Sequence, residues 1–555
     1  MSKTRLFGRL RRIAQRTFAS QLSTESAPSR EAAPRLSRRT ALLSTGALAT
    51  LGLPACGNQD PHAEQIAIVG AGIAGLHCAH RLKLAGVAAT VYEASSRVGG
   101  RMFTARDQYE DGQLFELGGE LIDSNHATLL ALADELEIEL DDRLPDDCVL
   151  THDVWFVAGA QVPEATIVEQ FTAVAVAMAD ASAAADNEDD DTAFVELDNT
   201  TLSDWLDENV PPASYPELHA ILTSAYRGEF GLETSEQSAL NMLYLIGSDA
   251  PDPFRIFGES DERYHAHSGS DSFPSKLAQK LAGSIELDSQ LTQLSGDSDA
   301  GFTLTFKNPK TGATRTVEAE RVVLAVPFSV LRKVTLDVPL SDLKKQIIAE
   351  LGYGTNTKVM GSFTSRVWQD PQGSNGSVTS DLPFQQLWDS SLGQAGEHGI
   401  LTNFLGGDAG LAAGTGEPED YYTGILADIE LVFPGATAAY RAGSARRMHW
   451  PSQPFTLGSY TCYQPGQWSF WTQEGAREGN VHFCGEHTSA DFQGWMEGGA
   501  ETGAAVAAEI LEDRGAAVDA KHAALLAART QIGAPERVRR LRAAARWLKA
   551  ARRAG

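Results

Sequence analysis

The sequence predicts an α/β protein, because its first recognisable unit is a strand, a helix and a second strand. Gln65–Val69 is an apolar run of strand length, and Ile73–Ala85 carries apolar residues at helical spacing. Ala88–Tyr92 is a second apolar run. At 555 residues the chain is too long for one ordinary core, so we expect two or more domains.

A glycine-rich turn joins the first strand to the helix and reads GAGIAG over residues 70–75. The first glycine permits a tight turn, the second lets the backbone approach a pyrophosphate, and the third allows the helix to pack closely on the strand. Glu93 ends the second strand, where its carboxylate can accept hydrogen bonds from a ribose diol. The pattern is typical of a Rossmann-like dinucleotide site and leaves NAD and FAD both open. Its candidate cofactor-binding residues are Gly70, Ala71, Gly72, Ala74, Gly75 and Glu93.

Further elements are predicted along the chain from the same periodicities. The predicted helices are Ala127–Leu136, Thr166–Ala185 and Gly498–Leu511. The predicted strands are Phe302–Phe306, Arg321–Ala325, Thr357–Phe363 and Val481–Cys484.

The net charge and the cysteine and histidine content argue against several classes of function. The net charge of −27 argues against a nucleic-acid partner, because phosphates would be repelled, and it weakly favours a cationic substrate. Five cysteines do not make a disulfide framework. Neither cysteines nor histidines show metal-ligand spacing, so we expect no metal site.

The first 56 residues carry ten basic and two acidic residues and predict a targeting leader. A twin-arginine pattern at Arg38-Arg39 precedes Leu42–Leu53, an apolar run too short to span a bilayer. The run ends in LPACG, which resembles a lipoprotein cleavage box with Cys56 as the lipidated residue. We therefore expect twin-arginine export to the periplasm or cell envelope, with membrane attachment only through a lipid on Cys56. The alternatives are a disordered basic leader and a transit peptide.

Three later segments resemble the flavin-containing amine oxidase family, which includes monoamine, polyamine and L-amino-acid oxidases. They are RVGGR over residues 97–101, ELGGELID over residues 116–123, and the pair FCGEHT and GWMEGG over residues 483–499. A segment around Leu291 resembles the family strand beside the adenine, and VVLAVP over residues 322–327 matches the strand that follows. The resemblance implies FAD and adds these cofactor-binding residues: Arg101, Gly118, Gly119, Glu120, Leu291, Gly485, Glu486 and Met496.

The family resemblance also implies a Rossmann-like FAD domain of the glutathione-reductase type, with an α+β substrate domain inserted in pieces. We expect the FAD domain at 64–124, 262–338 and 450–513 and the substrate domain at 125–261 and 339–449. The leader would occupy 1–56, and a basic tail would occupy 514–555.

The family oxidises a carbon–nitrogen bond: a hydride passes to flavin N5, oxygen is reduced to hydrogen peroxide, and the imine hydrolyses. Lys358 matches the lysine that bridges through water to flavin N5, and Tyr460 and Trp495 match two aromatic residues that flank the amine. These are the three candidate catalytic residues, and a small amine with O₂ is the expected substrate pair. The sequence does not define the oligomeric state.

Two departures refine the expectation. Ser459 stands where some monoamine oxidases carry the cysteine that links FAD covalently, so FAD should be bound non-covalently. The L-amino-acid oxidase segment LGAMR reads LGGEL here, which removes its arginine and disfavours an α-amino acid. Asp123 stands where some polyamine oxidases carry an acid for a distal ammonium, although it could equally cap a helix. Open alternatives are a related FAD desaturase or dehydrogenase, a protoporphyrinogen-type oxidase, an L-amino-acid oxidase, and a non-catalytic FAD-binding lipoprotein.

Overall fold

The structure is a computed structural model that describes residues 65–145, 149–187, 190–248 and 250–530. The twin-arginine segment, Cys56 and the basic residues after 530 lie outside the described residues, so the interpretations placed on them remain predictions. The division of the chain into domains likewise remains a prediction.

A five-stranded parallel sheet draws its strands from distant parts of the chain. In spatial order the strands are Ile285–Glu286, Thr90–Tyr92, Ile66–Val69, Arg321–Leu324 and Val481–Phe483. Ile66 and Ile68 face one apolar core, while Ala67 and Val69 face another, so both sides of the sheet are covered. The α/β Rossmann-like prediction is therefore confirmed.

Helices Ile73–Leu84 and Met496–Asp513 pack together on one side of this sheet. Small residues allow the close approach: a Cβ on Gly503 would lie 2.2 Å from the carbonyl oxygen of Ala74, and one on Gly499 would lie 2.8 Å from Ile73 Cγ2. The first turns of the two helices therefore lie in contact, and the dipole of each helix favours negative charge at its own N-terminus.

A seven-stranded mixed sheet forms the other large layer. Its strands, in spatial order, are Arg446–His449, Thr357–Phe363, Gly399–Leu405, Gln386–Asp389, Val378–Ser380, Val154–Val157 and Ala160–Val162. One face packs on helices that include Glu164–Ala185 and Pro216–Phe230, and the other packs on Pro418–Val432. Glu164–Ala185 is long and apolar enough to cross a membrane by length and composition, and one of its faces is buried in this core.

Smaller elements complete the described chain. A four-stranded sheet covers the second side of the parallel sheet with Thr314–Ala319, Gly301–Lys307, Gln290–Asp297 and Thr335–Asp337. Two further sheets are Thr104–Ala105 with Phe115–Glu116, and Leu121–Ile122, Tyr264–Ala266 and Leu140–Asp142 in that order. The remaining α-helices are Ala127–Leu136, Thr192–Asn199, Leu202–Asn209, Ala239–Leu245, Ser272–Lys280, Phe328–Leu331, Asp342–Glu350, Gly407–Ala412, Ala436–Ala439 and Ala520–Thr530, and short 3-10 helices lie at Glu110–Gly112, Trp450–Ser452, Gln467–Phe470 and Glu486–Thr488.

Candidate active site

One cavity of about 1280 Å³ extends from the carboxyl edge of the parallel sheet to the seven-stranded sheet. Gly70, Glu93, Ala325 and Gly485 line its first end, and each lies within two residues of the carboxyl end of a parallel strand. Ligands bind at this edge in open α/β sheets, because the loops there surround a crevice between neighbouring strands. We call this part the nucleotide end.

The glycine-rich turn is fixed by close contacts at its first and third glycines. Gly70 has φ +108, and a Cβ on it would lie 2.5 Å from the carbonyl oxygen of Ala325. A Cβ on Gly75 would lie 2.1 Å from the carbonyl oxygen of Gly70. Gly72 differs, because a Cβ there would meet no described atom within 4 Å, which leaves room for a ligand to approach its backbone.

Glu93 ties the turn to the second strand. One carboxylate oxygen accepts a hydrogen bond of 2.8 Å from the Ala71 amide, and the other accepts one of 2.8 Å from the Ser95 amide. Each carboxylate oxygen has a further lone pair, and the residue lines the cavity. The Ser289 amide donates to the Glu93 carbonyl at 2.7 Å, which brings the segment of Leu291 to the same wall.

Arg101 and Glu486 join the second motif to the last one. Arg101 Nη1 donates to Glu486 Oε1 at 2.8 Å and to the carbonyl of Ser459 at 2.5 Å. Burial favours a raised pKa for Glu486, but the charge of Arg101 and the hydrogen bond from the Gly494 amide bring its pKa below the ordinary value. Burial lowers the pKa of His487 to about 3, and its ring packs 4.4 Å from that of Phe328, which marks it as an uncharged packing residue.

Gly118 and Gly119 allow three segments to meet. A Cβ on Gly118 would lie 1.7 Å from the carbonyl oxygen of Arg101, and one on Gly119 would lie 2.7 Å from Met496 Cγ. Both glycines and Met496 line the cavity at the boundary between its nucleotide end and the remaining part. A planar ligand there would lie against backbone rather than against bulky side chains.

Lys358 is buried beside Gly118, where the nucleotide end of the cavity meets the remaining part. Its Nζ donates to the carbonyl of Gly118 at 2.8 Å and to Glu120 Oε2 at 2.9 Å, and it lies 5.1 Å from the centre of the Trp388 ring. Although burial opposes ionisation, the charges of Lys358, Arg143 and His265 lower the pKa of Glu120. Glu120 was predicted to bind the cofactor, and the structure pairs it with the predicted catalytic lysine.

Tyr460 and Trp495 both line the cavity beside this pair. Gly494 packs against the Tyr460 ring, since a Cβ on it would lie 3.4 Å from Tyr460 Cδ2. The Tyr460 hydroxyl donates to the carbonyl of Glu229, and Ser459 Oγ donates to Asn356 Oδ1 at 2.5 Å. The turn before the Lys358 strand holds this segment, because the Gly354 amide donates to the Tyr460 carbonyl at 2.8 Å.

Asp123 lines the cavity, and its carboxylate also has partners within the protein. Its Oδ2 lies 3.3 Å from His126 Nε2, and its Oδ1 accepts a hydrogen bond of 2.9 Å from the Glu262 amide. Helix capping falls to Glu497 instead, whose carboxylate accepts from the amides of Thr128 and Leu129 at 2.8 Å each. Burial opposes ionisation of Asp123, but its hydrogen bond and charge interaction with His126 bring its pKa below the ordinary value.

The far end of the cavity carries charged residues that sequence reasoning missed. Glu229, Glu262 and Arg143 line it, and we call this part the substrate end. Burial, followed by the charges of Glu262 and Asp123, raises the pKa of Glu229 to about 8. Glu262 is exposed to the open cavity; desolvation by the surrounding walls and then the charge of Asp123 raise its pKa to about 7, although Arg143 opposes the shift. No sequence motif identifies these residues. They are distant from one another in the chain, and only the folded structure shows that they line the same cavity.

Residues 73–511 match the family described as flavin containing amine oxidoreductase. The chain belongs to this family. It is 26% identical over 469 residues to an L-amino acid dehydrogenase of Synechocystis sp., which covers 80% of this chain and 94% of the relative. It is 25% identical over 462 residues to an L-amino-acid oxidase of Siganus canaliculatus, covering 79% of this chain and 84% of the relative.

Solved structures share the fold. Putrescine oxidase bound to putrescine matches with a TM-score of 0.68 at 22% identity, covering 81% of this chain and 99% of the other. Cyclohexylamine oxidase from Brevibacterium oxydans matches with a TM-score of 0.67 at 21% identity, covering 82% and 100%. The family resemblance noted in the sequence is thereby confirmed, and a flavin cofactor follows from the family.

Proposed function

We propose that the protein is an FAD-dependent enzyme that oxidises the carbon–nitrogen bond of a small amine to an imine. The observation that carries the proposal is the continuity of one cavity from the glycine-rich turn to Lys358, Tyr460 and Trp495. FAD bound at the nucleotide end supplies the acceptor for the hydride that leaves the carbon next to nitrogen.

The residues of the nucleotide end suit FAD. Gly72 leaves space for a pyrophosphate, Glu93 offers acceptors to a ribose diol, and Arg101 places positive charge beside Glu486. The N-terminus of helix Ile73–Leu84 lies at this turn and favours phosphate charge. The Gly118–Gly119 surface gives a flat ring system room to pass.

The amine must lose a proton before a hydride leaves its carbon. A free alkyl amine has a pKa of about 10.4, so holding it neutral at pH 7 costs roughly 4–5 kcal/mol in water. Tyr460, Trp495 and Trp388 line this part of the cavity, and an amine bound between them would lose contact with water, which lowers that cost because desolvation disfavours the charged form. A cation–π contact with the same rings opposes this effect, and in our proposal desolvation prevails at the reacting nitrogen.

Lys358 forms an ion pair of 2.9 Å with Glu120 beside this pocket. In our proposal its Nζ also orients the water that attacks the imine carbon, which yields an aldehyde or keto product and releases ammonia or an amine. O₂ is the proposed electron acceptor, with hydrogen peroxide as its product. The relative named as a dehydrogenase favours a second candidate, in which another acceptor takes the electrons and no peroxide forms.

A panel of amines and amino acids tests the proposal. Anaerobic mixing should bleach the flavin absorbance with at least one compound, and air should restore it with release of peroxide. Bleaching without peroxide would favour the dehydrogenase. If no mono-, di- or polyamine and no amino acid bleached the flavin, the proposed reaction would be wrong.

FAD should be held without a covalent bond, because Ser459 has no thiol and donates its hydroxyl hydrogen to Asn356. Acid precipitation of the purified protein should leave the yellow colour in the supernatant. Colour retained in the washed pellet would contradict this part of the proposal.

We also propose that the chain is exported by the twin-arginine route, from the order of Arg38-Arg39, the apolar run and Cys56. Cell fractionation should place the native chain in the envelope fraction, and replacement of both arginines by lysine should leave it in the cytoplasm. An unchanged distribution would argue against this route.

A further inference from the structure

A small three-stranded sheet brings Asp123, Arg143 and Glu262 to one end. The outer strands Leu121–Ile122 and Leu140–Asp142 both run antiparallel to the central strand Tyr264–Ala266. Their carboxyl ends therefore meet the amino end of the central strand. Asp123 and Arg143 follow the outer strands directly, and Glu262 lies two residues before the central one. The Arg143 amide donates to the Arg263 carbonyl at 2.8 Å, which fixes this arrangement.

Arg143 brings a guanidinium to the wall of the cavity. Among the described residues, its side chain makes one hydrogen bond, from Nη2 to the carbonyl of Asp389 at 3.4 Å. A guanidinium has five N–H donors, so most of them remain available to a ligand. Ser390, the next residue after Asp389, donates to Glu120 Oε1 at 2.8 Å, and Glu120 contacts Lys358. Arg143 is therefore one short chain of contacts away from the proposed reaction centre.

Arg255 provides the contrast. It also lines the cavity, but its Nη1 donates to Glu259 Oε1 at 2.7 Å, which forms an ion pair along one turn of chain. Its charge is thus balanced within the protein, whereas Arg143 has no carboxylate within ion-pair distance in the described chain. Of these two arginines, Arg143 is better suited to bind an anionic group on a ligand.

We infer that Arg143 binds the carboxylate of an α-amino acid, and that Glu229 and Glu262 receive a cationic group at the end of its side chain. The inference rests on the proposed function and names its substrate class. It reverses the expectation drawn from the missing arginine of the LGAMR segment, because a guanidinium from a different strand reaches the same cavity. L-Lysine and L-arginine have the required three charges: an α-carboxylate, a reacting amine and a distal cation.

Two matched substrate pairs test this assignment in the FAD-loaded full chain. Cadaverine is L-lysine without the carboxylate, and L-norleucine is L-lysine without the distal ammonium. The wild type should show a kcat/KM for L-lysine at least about 100-fold above that for cadaverine, as expected for a charge-assisted bidentate contact. Arg143→Met should reduce kcat/KM about 100-fold for L-lysine and leave cadaverine within about threefold. Arg255→Met, the matched control, should preserve the lysine-to-cadaverine ratio.

A binding measurement separates this inference from the proposed reaction. 6-Aminohexanoate carries the carboxylate and the distal ammonium of lysine but lacks the α-amine, so it cannot be oxidised at that carbon. It should perturb the flavin absorbance of the wild type, and Arg143→Met should weaken its Kd about 100-fold whether or not any amine is turned over. Equal weakening in Arg143→Met and Arg255→Met, or a wild type that prefers cadaverine, would overturn the role of Arg143. Loss of bleaching with every compound, while 6-aminohexanoate still bound through Arg143, would overturn the reaction alone.

Discussion

The two ends of the cavity are built in opposite ways. At the nucleotide end, Glu93 accepts two backbone amides, and Glu486 accepts a backbone amide together with Arg101. At the substrate end, Glu229 and Glu262 have side-chain oxygens without a hydrogen-bond partner among the described residues, and their pKa values are raised to about 8 and about 7. The carboxylates of the nucleotide end are hydrogen-bonded within the protein, whereas those of the substrate end remain available to a bound substrate.

The largest effects should come from the backbone of the nucleotide end. Gly75→Ala places a Cβ 2.1 Å from a carbonyl oxygen and should prevent normal folding of the turn, with FAD lost altogether. Gly72→Ala meets no described atom and should leave the apoprotein's melting temperature unchanged while weakening FAD binding about 100-fold. Flavin content and thermal melts of the two apoproteins separate these outcomes. Normal FAD binding by Gly72→Ala would show that this turn does not hold the pyrophosphate.

Removal of the junction lysine should have the next largest effect. Lys358→Met should lower the rate of flavin reduction about 100-fold, the scale expected for loss of one positioned donor. It also leaves the buried Glu120 carboxylate without its cation, which lowers the free energy of unfolding by about 3–5 kcal/mol. A lower rate in the single variant could therefore reflect loss of folded protein as well as loss of catalysis. The double variant Lys358→Met, Glu120→Gln removes both charges and is the proper comparison. Full activity of the stable double variant would exclude Lys358 from the reaction.

The contrast between the two ends also explains what the sequence could predict. The nucleotide end is local: glycines at fixed spacing, a terminal acid and short motifs each determine their own backbone geometry, so the α/β fold followed from them. Glu120 and Lys358 are 238 positions apart, and nothing in either segment indicates that they pair. The sequence likewise does not show that the Asp123 carboxylate, which lines the cavity, lies 3.3 Å from His126 Nε2 three residues later.

The substrate end was missed for a related physical reason. Arg143 and Glu262 come together only because two strands separated by more than a hundred residues pair in one small sheet. Sequence shows where charges occur, but it does not show which of them remain without a partner after folding. Nothing in the sequence around Arg255 or Arg143 distinguishes the two, whereas in the structure Arg255 contacts Glu259 and Arg143 donates to the carbonyl of Asp389.

The pH dependence of selectivity should expose the charges of the substrate end. Glu229 and Glu262 have pKa values raised to about 8 and about 7, so both gain negative charge as the pH rises from 6 to 9. The ratio of kcat/KM for L-lysine over L-norleucine should therefore increase about tenfold across this range and then level off. The ratio cancels titration of the α-amine, which both substrates share. The Glu229→Gln, Glu262→Gln double variant should give a flat ratio, and a flat ratio in the wild type would remove these residues from recognition.

The smallest effect is on stability, and its sign should differ between the two ends. The pKa of Glu229 is raised from the ordinary 4.5 to about 8, so the folded state binds this proton more tightly than the unfolded state does. Stability from this group is complete below pH 4.5 and is lost as the pH rises to 8. Glu229→Gln should therefore match the wild type at pH 5 and melt about 2 °C higher at pH 8.5.

Glu93→Gln provides the opposite case in the same experiment. Its carboxylate accepts two backbone amides, and a glutamine keeps only one acceptor oxygen, so one of these amides loses its partner. This variant should melt lower than the wild type at both pH values, because an unsatisfied buried amide destabilises the fold by about 1–3 kcal/mol. Melting curves of both apoproteins at pH 5 and pH 8.5 make the comparison. A decrease for both variants at pH 8.5 would mean that the Glu229 carboxylate is stabilised by the protein, and the distinction between hydrogen-bonded and available carboxylates would not hold.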